Sequence, residues 1–343
     1  MDTTTDELGS VEEFEAELRA TLRVPGGTAH YLAELARLEL AETLRGTEVR
    51  YVLARTDDGR CTGVLPVYRT RAALPPALAG LGPAREGEPV HLLGSPGAVA
   101  SHLVVAPDTD PARRATSARL LLAHGLRTAT AHGPGPVLIP YLDTDGLALV
   151  PPSLAETAVV RTVPVARLDI TWNGFEEYVS SLGKSRRTGI RKERRRFLES
   201  DVVVSEEHLL DVCEEIAPLV LQVEQRYARA TTAEQIEFYL TGLGLAMDDS
   251  GFALVARRDG AVIGACVVWE YEDEWVVRCW GCDYSRTDRE SVYFNMVFYE
   301  TVERAVARRI PRVRLGPESI ATKITRGCAV DELHTLLVRP PRP

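Results

Sequence analysis

Phe252-Ala-Leu-Val-Ala-Arg-Arg-Asp-Gly-Ala-Val-Ile-Gly-Ala-Cys-Val-Val-Trp-Glu-Tyr-Glu-Asp-Glu-Trp-Val-Val-Arg-Cys-Trp-Gly-Cys-Asp-Tyr284 holds three β-like runs, 252–257, 261–270 and 274–284. Asp259-Gly260 joins the first two, and this dipeptide suits a two-residue hairpin because both positions accept positive φ. Successive hairpins predict an antiparallel meander. Downstream, the apolar spacing of 291–309 predicts an amphipathic helix, followed by a strand at 312–315, a short helix at 318–326 and a last strand at 332–338. Upstream lie helices at 209–228 and 232–246, a short strand at 201–205, a basic helical stretch at 184–199, and a capping-box spacing, Asn173 with Glu176, that opens a helix at Gly174.

The first half repeats this order. Residues 1–9 are polar and read as a frayed end; Ser10 and Glu13 have capping-box spacing for a helix to about Leu22, and a second helix runs from about Thr28 to Leu44. A hairpin joins 48–56 to 62–70 through Asp57-Asp58-Gly59. A Pro- and Gly-rich stretch at 71–100 contains one apolar run, 90–93; a helix at 112–130 and strands at 137–142 and 159–170 follow. Helices, antiparallel meander, helix, strand, twice over, predict a mixed α/β fold with largely antiparallel sheets rather than a doubly wound parallel one. The expected lobes are 1–165 and 166–343, the second containing the basic helix, and 343 residues with 45% apolar types suffice for two cores.

Only Lys184, Lys192 and Lys323 are lysines, and the formal net charge is −9. Such a chain repels nucleic acid and anionic membranes on average. The six cysteines are widely spaced, the start is acidic and polar, and no apolar run approaches the roughly 20 residues of a membrane span. Reduced thiols in the cytoplasm, without membrane association, are expected. No P-loop, dinucleotide fingerprint or Gly-x-Ser-x-Gly elbow is present, so NTPase, dehydrogenase and hydrolase readings lack support. Cys279-x-x-Cys282 lacks a second pair to complete a zinc site and reads as core thiols; neither a metal nor a cofactor is expected.

Tyr178-Val-Ser-Ser-Leu-Gly-Lys-Ser-Arg-Arg-Thr-Gly-Ile-Arg-Lys192 and the hairpin Ala256-Arg-Arg-Asp-Gly-Ala-Val-Ile-Gly-Ala265 resemble segments of the Fem-like, two-lobed members of the N-acetyltransferase-like superfamily. So does Tyr293-Phe-Asn-Met-Val-Phe-Tyr-Glu300, followed by Leu315-Gly316 and Lys323-x-x-Arg326-Gly327. The resemblance covers about Asp169 to Val338; the first lobe matches in element order alone. It implies two tandem lobes of that fold and transfer of an acyl or aminoacyl group to an amine or hydroxyl. Some members use acyl-CoA, while the Fem-like branch uses aminoacyl-tRNA; a related group, which includes the seryl transferase of valanimycin biosynthesis, makes small natural products. The acceptor expected on that analogy is a small amine or hydroxylamine.

Between Lys184 and Arg196 stand Lys184, Arg186, Arg187, Arg191, Lys192, Arg194, Arg195 and Arg196, opposed by Glu193 alone. The segment carries +7 and the rest of the chain −16. Helical spacing puts Arg187, Arg191, Arg194 and Arg195 on one face and turns Leu182, Ile190 and Phe197 inward. A concentrated cationic stripe on an acidic body is the footprint of a phosphate-bearing partner, tRNA before CoA; a solvated face with internal salt bridges is the alternative. The Gln/Arg-x-x-Gly-x-Gly/Ala loop of acyl-CoA users is not found, which weighs against that donor. By the family pattern, Lys323 stabilises an oxyanion or positions a phosphate with Arg326, with a plain helix residue as the alternative. Asn295 and Tyr299, four apart, share a helix face and are catalytic candidates; Tyr293 and Glu300 are substrate-binding candidates, or core and solvated residues respectively.

Overall fold

The computed structural model of the protein describes residues 3–14, 16, 47–71, 74, 78, 80–82, 88–94, 104–105, 110–227, 229, 231–247, 250–270, 274–287 and 291–338. The expected helix at 28–44 and most of the one after Ser10 lie outside the described residues. Two compact units are present: Met1–Pro164 with Glu332–Pro343, and Val165–Asp331. The segment from Glu332, which the sequence reading places in the second lobe, clusters with the first.

In the first unit the strands β1 (Thr3–Leu8), β2 (Glu48–Thr56), β3 (Cys61–Thr70), β4 (Val90–Leu93), β6 (Val137–Leu142) and β13 (Ala329–Val338, from His334 onward) lie side by side in that order, with β5 (Val104–Val105) on β3. Every pairing is antiparallel except β4 with β6. β1 replaces the frayed end expected at residues 1–9. Its run of β-branched threonines suits a strand, and it is tied down by Arg55 to Asp6 at 2.7 Å and by the Thr128 hydroxyl donating to Glu7 at 2.8 Å. After it, the Glu13 carboxylate accepts the N–H groups of Gly9 and Ser10, both at 3.0 Å, the reach-back half of the expected capping box. Helix α1 (Pro111–Ala131) buries Leu121 and Leu122 on this sheet and brings Gly125 close enough that a Cβ there would meet Leu65 at 2.9 Å.

The second unit repeats the plan. β7 (Val159–Asp169, from Val165 onward), β12 (Arg312–Gly316), β11 (Trp275–Cys282), β10 (Ala261–Glu270), β9 (Gly251–Arg258) and β8 (Val203–His208) form its sheet, antiparallel except for β11 with β12. Asp259 and Gly260 take φ of 51° and 78°, as the β9–β10 turn requires. Helices α2 (Phe175–Ser181), α3 (Lys184–Leu198), α4 (Leu209–Arg226), α5 (Ala233–Met247), α6 (292–308) and α7 (Ile320–Ile324) complete the lobe. α4 packs on one face of β11, where a Cβ on Gly281 would strike the Val220 backbone nitrogen at 2.9 Å. α6 packs on the other, with Trp280 against Tyr293.

Two local expectations change. The cap of α2 comes from Glu177, whose carboxylate accepts both the backbone and the side-chain N–H of Asn173 at 3.0 Å; Glu176 is left for Arg191. The helix expected over 291–309 contains a π segment: α6 is Val292–Phe294, a π turn Asn295–Glu300, and Thr301–Arg308. π turns inside α-helices are frequent at functional sites.

Candidate active site

β12 pairs with β11 only at Trp275 with Val313 and Val276 with Arg314, while its other edge follows β7 from Arg312 with Asp169 to Gly316 with Ala166. β12 therefore stays with β7 and parts from β11. Beyond Val276 no described strand pairs with the β12-facing edge of β11. Val277, Arg278, Cys279 and Trp280 are only half-buried, whereas Ile263–Trp269 on neighbouring β10 are buried. Where two strands part in the middle of a sheet, backbone donors and acceptors are offered to a ligand. At the same place β11 is bulged: Val267 faces Cys279 and Val268 faces Val277, so Arg278 is the extra residue. Bulges re-aim side chains beside active sites; here Arg278 donates to the Tyr239 hydroxyl at 3.0 Å and stacks on Trp269.

An aromatic floor borders this opening. Trp280 meets Tyr293 edge-on at 5.5 Å, Tyr293 meets Phe294 at 5.2 Å, and all three are half-buried. Gly264 is required beneath it, since a Cβ there would lie 2.9 Å from the Trp280 ring. The Arg326 guanidinium sits 3.4 Å from the Phe294 centroid. Burial raises the Tyr293 hydroxyl to about 12.

Behind the floor lies a polar network. Arg326, 2% exposed, donates to both oxygens of Glu193 at 3.3 and 3.2 Å, and the Tyr299 hydroxyl donates to the same carboxylate. Tyr299 is fully buried, and burial raises its pKa, so it acts as a donor and not as a phenolate. The Tyr178 hydroxyl donates to the Arg326 carbonyl at 3.0 Å. One residue along α3, buried Arg194 binds Glu300 at 2.6 Å, Glu303 at 2.6 Å and the Asn295 amide oxygen at 3.4 Å. Adjacent residues of α3 thus engage adjacent residues of α6: Glu193 with Tyr299, Arg194 with Glu300. The π turn, at more residues per turn than an α-helix, narrows the angle between Tyr299 and Glu300 so that both face α3. Burial raises the Glu303 carboxyl, against the pull of Arg194.

Lys323, on α7 (Ile320–Ile324), is 4% exposed, and its ammonium donates to the Leu315 and Gly316 carbonyls at the end of β12. Burial lowers it to about 8. It closes the strand end beside the opening instead of standing free in it.

The band on α3 divides in two. Ile190, Arg194 and Phe197, at i, i+4 and i+7, are buried. The expected common face of Arg187, Arg191, Arg194 and Arg195 therefore does not exist: Arg194 points inward to carboxylates, out of reach of an external phosphate, because it falls on the apolar stripe. Arg187 donates to the Ser180 carbonyl at 3.2 Å, and Arg191 pairs with Glu176 at 2.9 Å on the surface. Lys184, Lys192, Arg195 and Arg196 are exposed, and their side chains make no ion pair or hydrogen bond with any described residue; Arg186 is half-buried near Tyr178.

The structure thus brings Asn295, Tyr299, Glu300 and Arg326 together through α3, seats Tyr293 at the opening, and puts Lys323 at the neighbouring strand end. Glu193 was missed as a site residue although its isolation among eight cations marked it. Trp280 and the bulged Arg278 were missed because a register shift leaves no trace in composition. The segment from Asp283 to Ser291, between β11 and α6, contains no glycine. All six cysteines are free thiols; Cys279 is half-buried and Cys282 buried. Among the described residues no cluster of three or more His, Cys, Asp or Glu is placed to hold a metal, and no helix is long and apolar enough to cross a membrane.

Residues 167–337 match the FemAB-like family, described as peptidoglycan biosynthesis/recognition. No curated protein sequence matches the chain. Among solved structures, FemX superposes with a TM-score of 0.65 at 12% identity, covering 97% of each chain. A tandem GNAT protein from the clavulanic acid biosynthesis pathway, solved without AcCoA, gives 0.58 at 13% identity over 100% of each chain. L-PGS from Bacillus licheniformis gives 0.57 at 12% identity, over 98% of this chain and 93% of that one. These likenesses establish the fold: a mixed α/β arrangement of tandem lobes of the N-acetyltransferase type.

Proposed function

Given that the chain is a two-lobed, Fem-like member of the N-acetyltransferase-like superfamily, we propose that it is an acyltransferase that moves an aminoacyl group from aminoacyl-tRNA to a small amine or hydroxylamine, in specialised-metabolite biosynthesis. The observation that carries the donor assignment is the exposed half of α3. The side chains of Lys184, Lys192, Arg195 and Arg196 stand without partners among the described residues on a body that is otherwise acidic, and such cations suit a phosphate backbone. Four cations exceed what a single CoA pyrophosphate needs, and the glycine-free segment before α6 lacks the usual cradle for it.

In this reading the ester carbonyl lies in the opening between β11 and β12, its oxygen toward the backbone N–H groups on the β12-facing edge of β11. Those donors stabilise the oxyanion as the amine nitrogen attacks. The carbon–oxygen bond to the ribose then breaks; the leaving oxygen takes up a proton and the amine loses one. The activated ester supplies the driving force, so the protein's contribution is approximation, at best roughly 7–11 kcal/mol. Lys323 fixes the end of β12 through its two carbonyl bonds, and Glu193 of α3 holds both Tyr299 of α6 and Arg326. They shape the opening without touching the ester.

The test is product formation from labelled amino acid carried either on tRNA or as a CoA thioester, with a panel of small amines and hydroxylamines. Product from tRNA alone is expected; product from the thioester alone reassigns the donor to acyl-CoA.

A further inference from the structure

The aromatic floor says what kind of acyl group the opening admits. Trp280, Tyr293 and Phe294 are half-buried side chains that line it where β11 leaves β12. Their mutual contacts are edge-on, at 5.5 and 5.2 Å, and Arg326 covers one face of Phe294; being half-buried, the three rings keep aromatic surface for a flat or bulky apolar partner. The charges nearby are already engaged. Arg326 is held by Glu193 and by the Phe294 ring, Lys323 by the Leu315 and Gly316 carbonyls, and Arg278 by Tyr239 and the Trp269 ring. A charged acyl side chain placed here would lose its water and meet no described partner of opposite sign, a large cost for a buried ion. A hydroxymethyl or hydrogen would leave the floor uncovered.

We propose that the Trp280–Tyr293–Phe294 floor receives the side chain of the transferred acyl group, and that this side chain is aromatic or bulky and aliphatic, not small, polar or charged. The inference deepens the acyltransferase reading and rests on it, but not on the carrier. Gly264 is the enabling position, since any side chain there would push Trp280 off its seat. Burying an aromatic surface against three rings gives a discrimination of tenfold or more against a small side chain.

The experiment uses the full chain and one acyl series, phenylalanyl, leucyl, seryl, glycyl and aspartyl. Each is supplied on one tRNA body, as a CoA thioester, and as the non-hydrolysable 3′-amide of 3′-amino-3′-deoxyadenosine. Competition assays read relative kcat/KM on whichever carrier reacts, and calorimetry reads binding of the amides. Phenylalanyl or leucyl is expected to exceed seryl, glycyl and aspartyl by at least tenfold. Trp280→Ala is expected to lower that ratio at least fivefold, chiefly through a raised KM for the phenylalanyl or leucyl donor, while Trp280→Phe retains most of the preference. Equal or better use of the small or charged groups on the accepted carrier overturns the inference and leaves the acyltransferase reading standing. Should no carrier react, the acyltransferase reading falls; the floor assignment then survives only if the phenylalanyl amide binds at least tenfold tighter than the seryl amide, and equal or absent binding of the two overturns it.

Discussion

In the first unit β6 returns beside β4 after α1, and in the second β12 returns beside β11 after α6. Both pairs are parallel, and both are registered at only two positions. Their surroundings differ. β4 and β6 are buried along their whole length, and α1 is an unbroken α-helix. β11 is bulged and half-buried from Val277 to Trp280, and α6 carries a π turn with three polar residues facing α3. The same topology is packed shut among the described residues of one lobe and held open in the other. The open lobe is also the one with a buried polar network, which costs stability unless fully partnered, and this accords with the site proposed in the second lobe.

The contrast is broken most severely at Arg194. Arg194→Met leaves buried Glu300 with Arg304 alone and takes the partner from half-exposed Glu303, and it is expected to cost about 3 kcal/mol in urea unfolding. Arg195→Met, one residue on but outward, is expected to leave the midpoint unchanged. Equal effects would mean that α3 has no inner and outer face.

Lys323 gives the next largest signal. Its pKa is lowered to about 8 from an ordinary 10.5, so below pH 8 it is charged in both folded and unfolded chains and its burial weakens the fold. Between pH 8 and 10.5 the folded protein sheds that proton first, and stability gains up to about 3 kcal/mol. Lys323→Met lacks this gain. The stability difference, wild type minus variant, is expected to climb across that window; a flat difference would place the ammonium in water.

Close packing separates the lobes more finely. Gly281→Ala drives a methyl into the Leu219–Val220 backbone and is expected to cost about 1–3 kcal/mol. Gly125→Ala meets only the tips of Leu65 and Leu93, which can yield, and gains roughly 1 kcal/mol of helix propensity, so its net effect is expected near zero. The smallest change is Tyr299→Phe, which removes one of the donors to Glu193; thermal unfolding is expected to show a loss of about 1 kcal/mol.

Much of the fold was legible. Asp259-Gly260 fixed a hairpin because few other residues take two positive φ values in succession, and Ile190 and Phe197 showed which way α3 turns. β1 was not read, although the strand at 203–208 holds the same place in the second lobe: Asp6 and Glu7 look solvated until Arg55 and Thr128 are seen beside them. The site was legible as a set of residues and not as a geometry. Asn295, Tyr299, Glu300 and Arg326 do come together, but through Glu193 and Arg194, whose partners lie about a hundred residues away in sequence. Nor does local spacing reveal a π turn or a bulge, since each is an extra residue accommodated by tertiary contacts.

The donor assignment stands on the outer face of α3, and one measurement bears on it most directly. Binding of charged tRNA is followed from 50 to 300 mM salt for the wild type and for a variant with Lys184, Lys192, Arg195 and Arg196 all changed to Gln. The predicted result is a marked loss of affinity at low salt, with the log–log salt dependence shallower by about 3, as befits four lost phosphate contacts. Identical affinity and slope in the two proteins would contradict it.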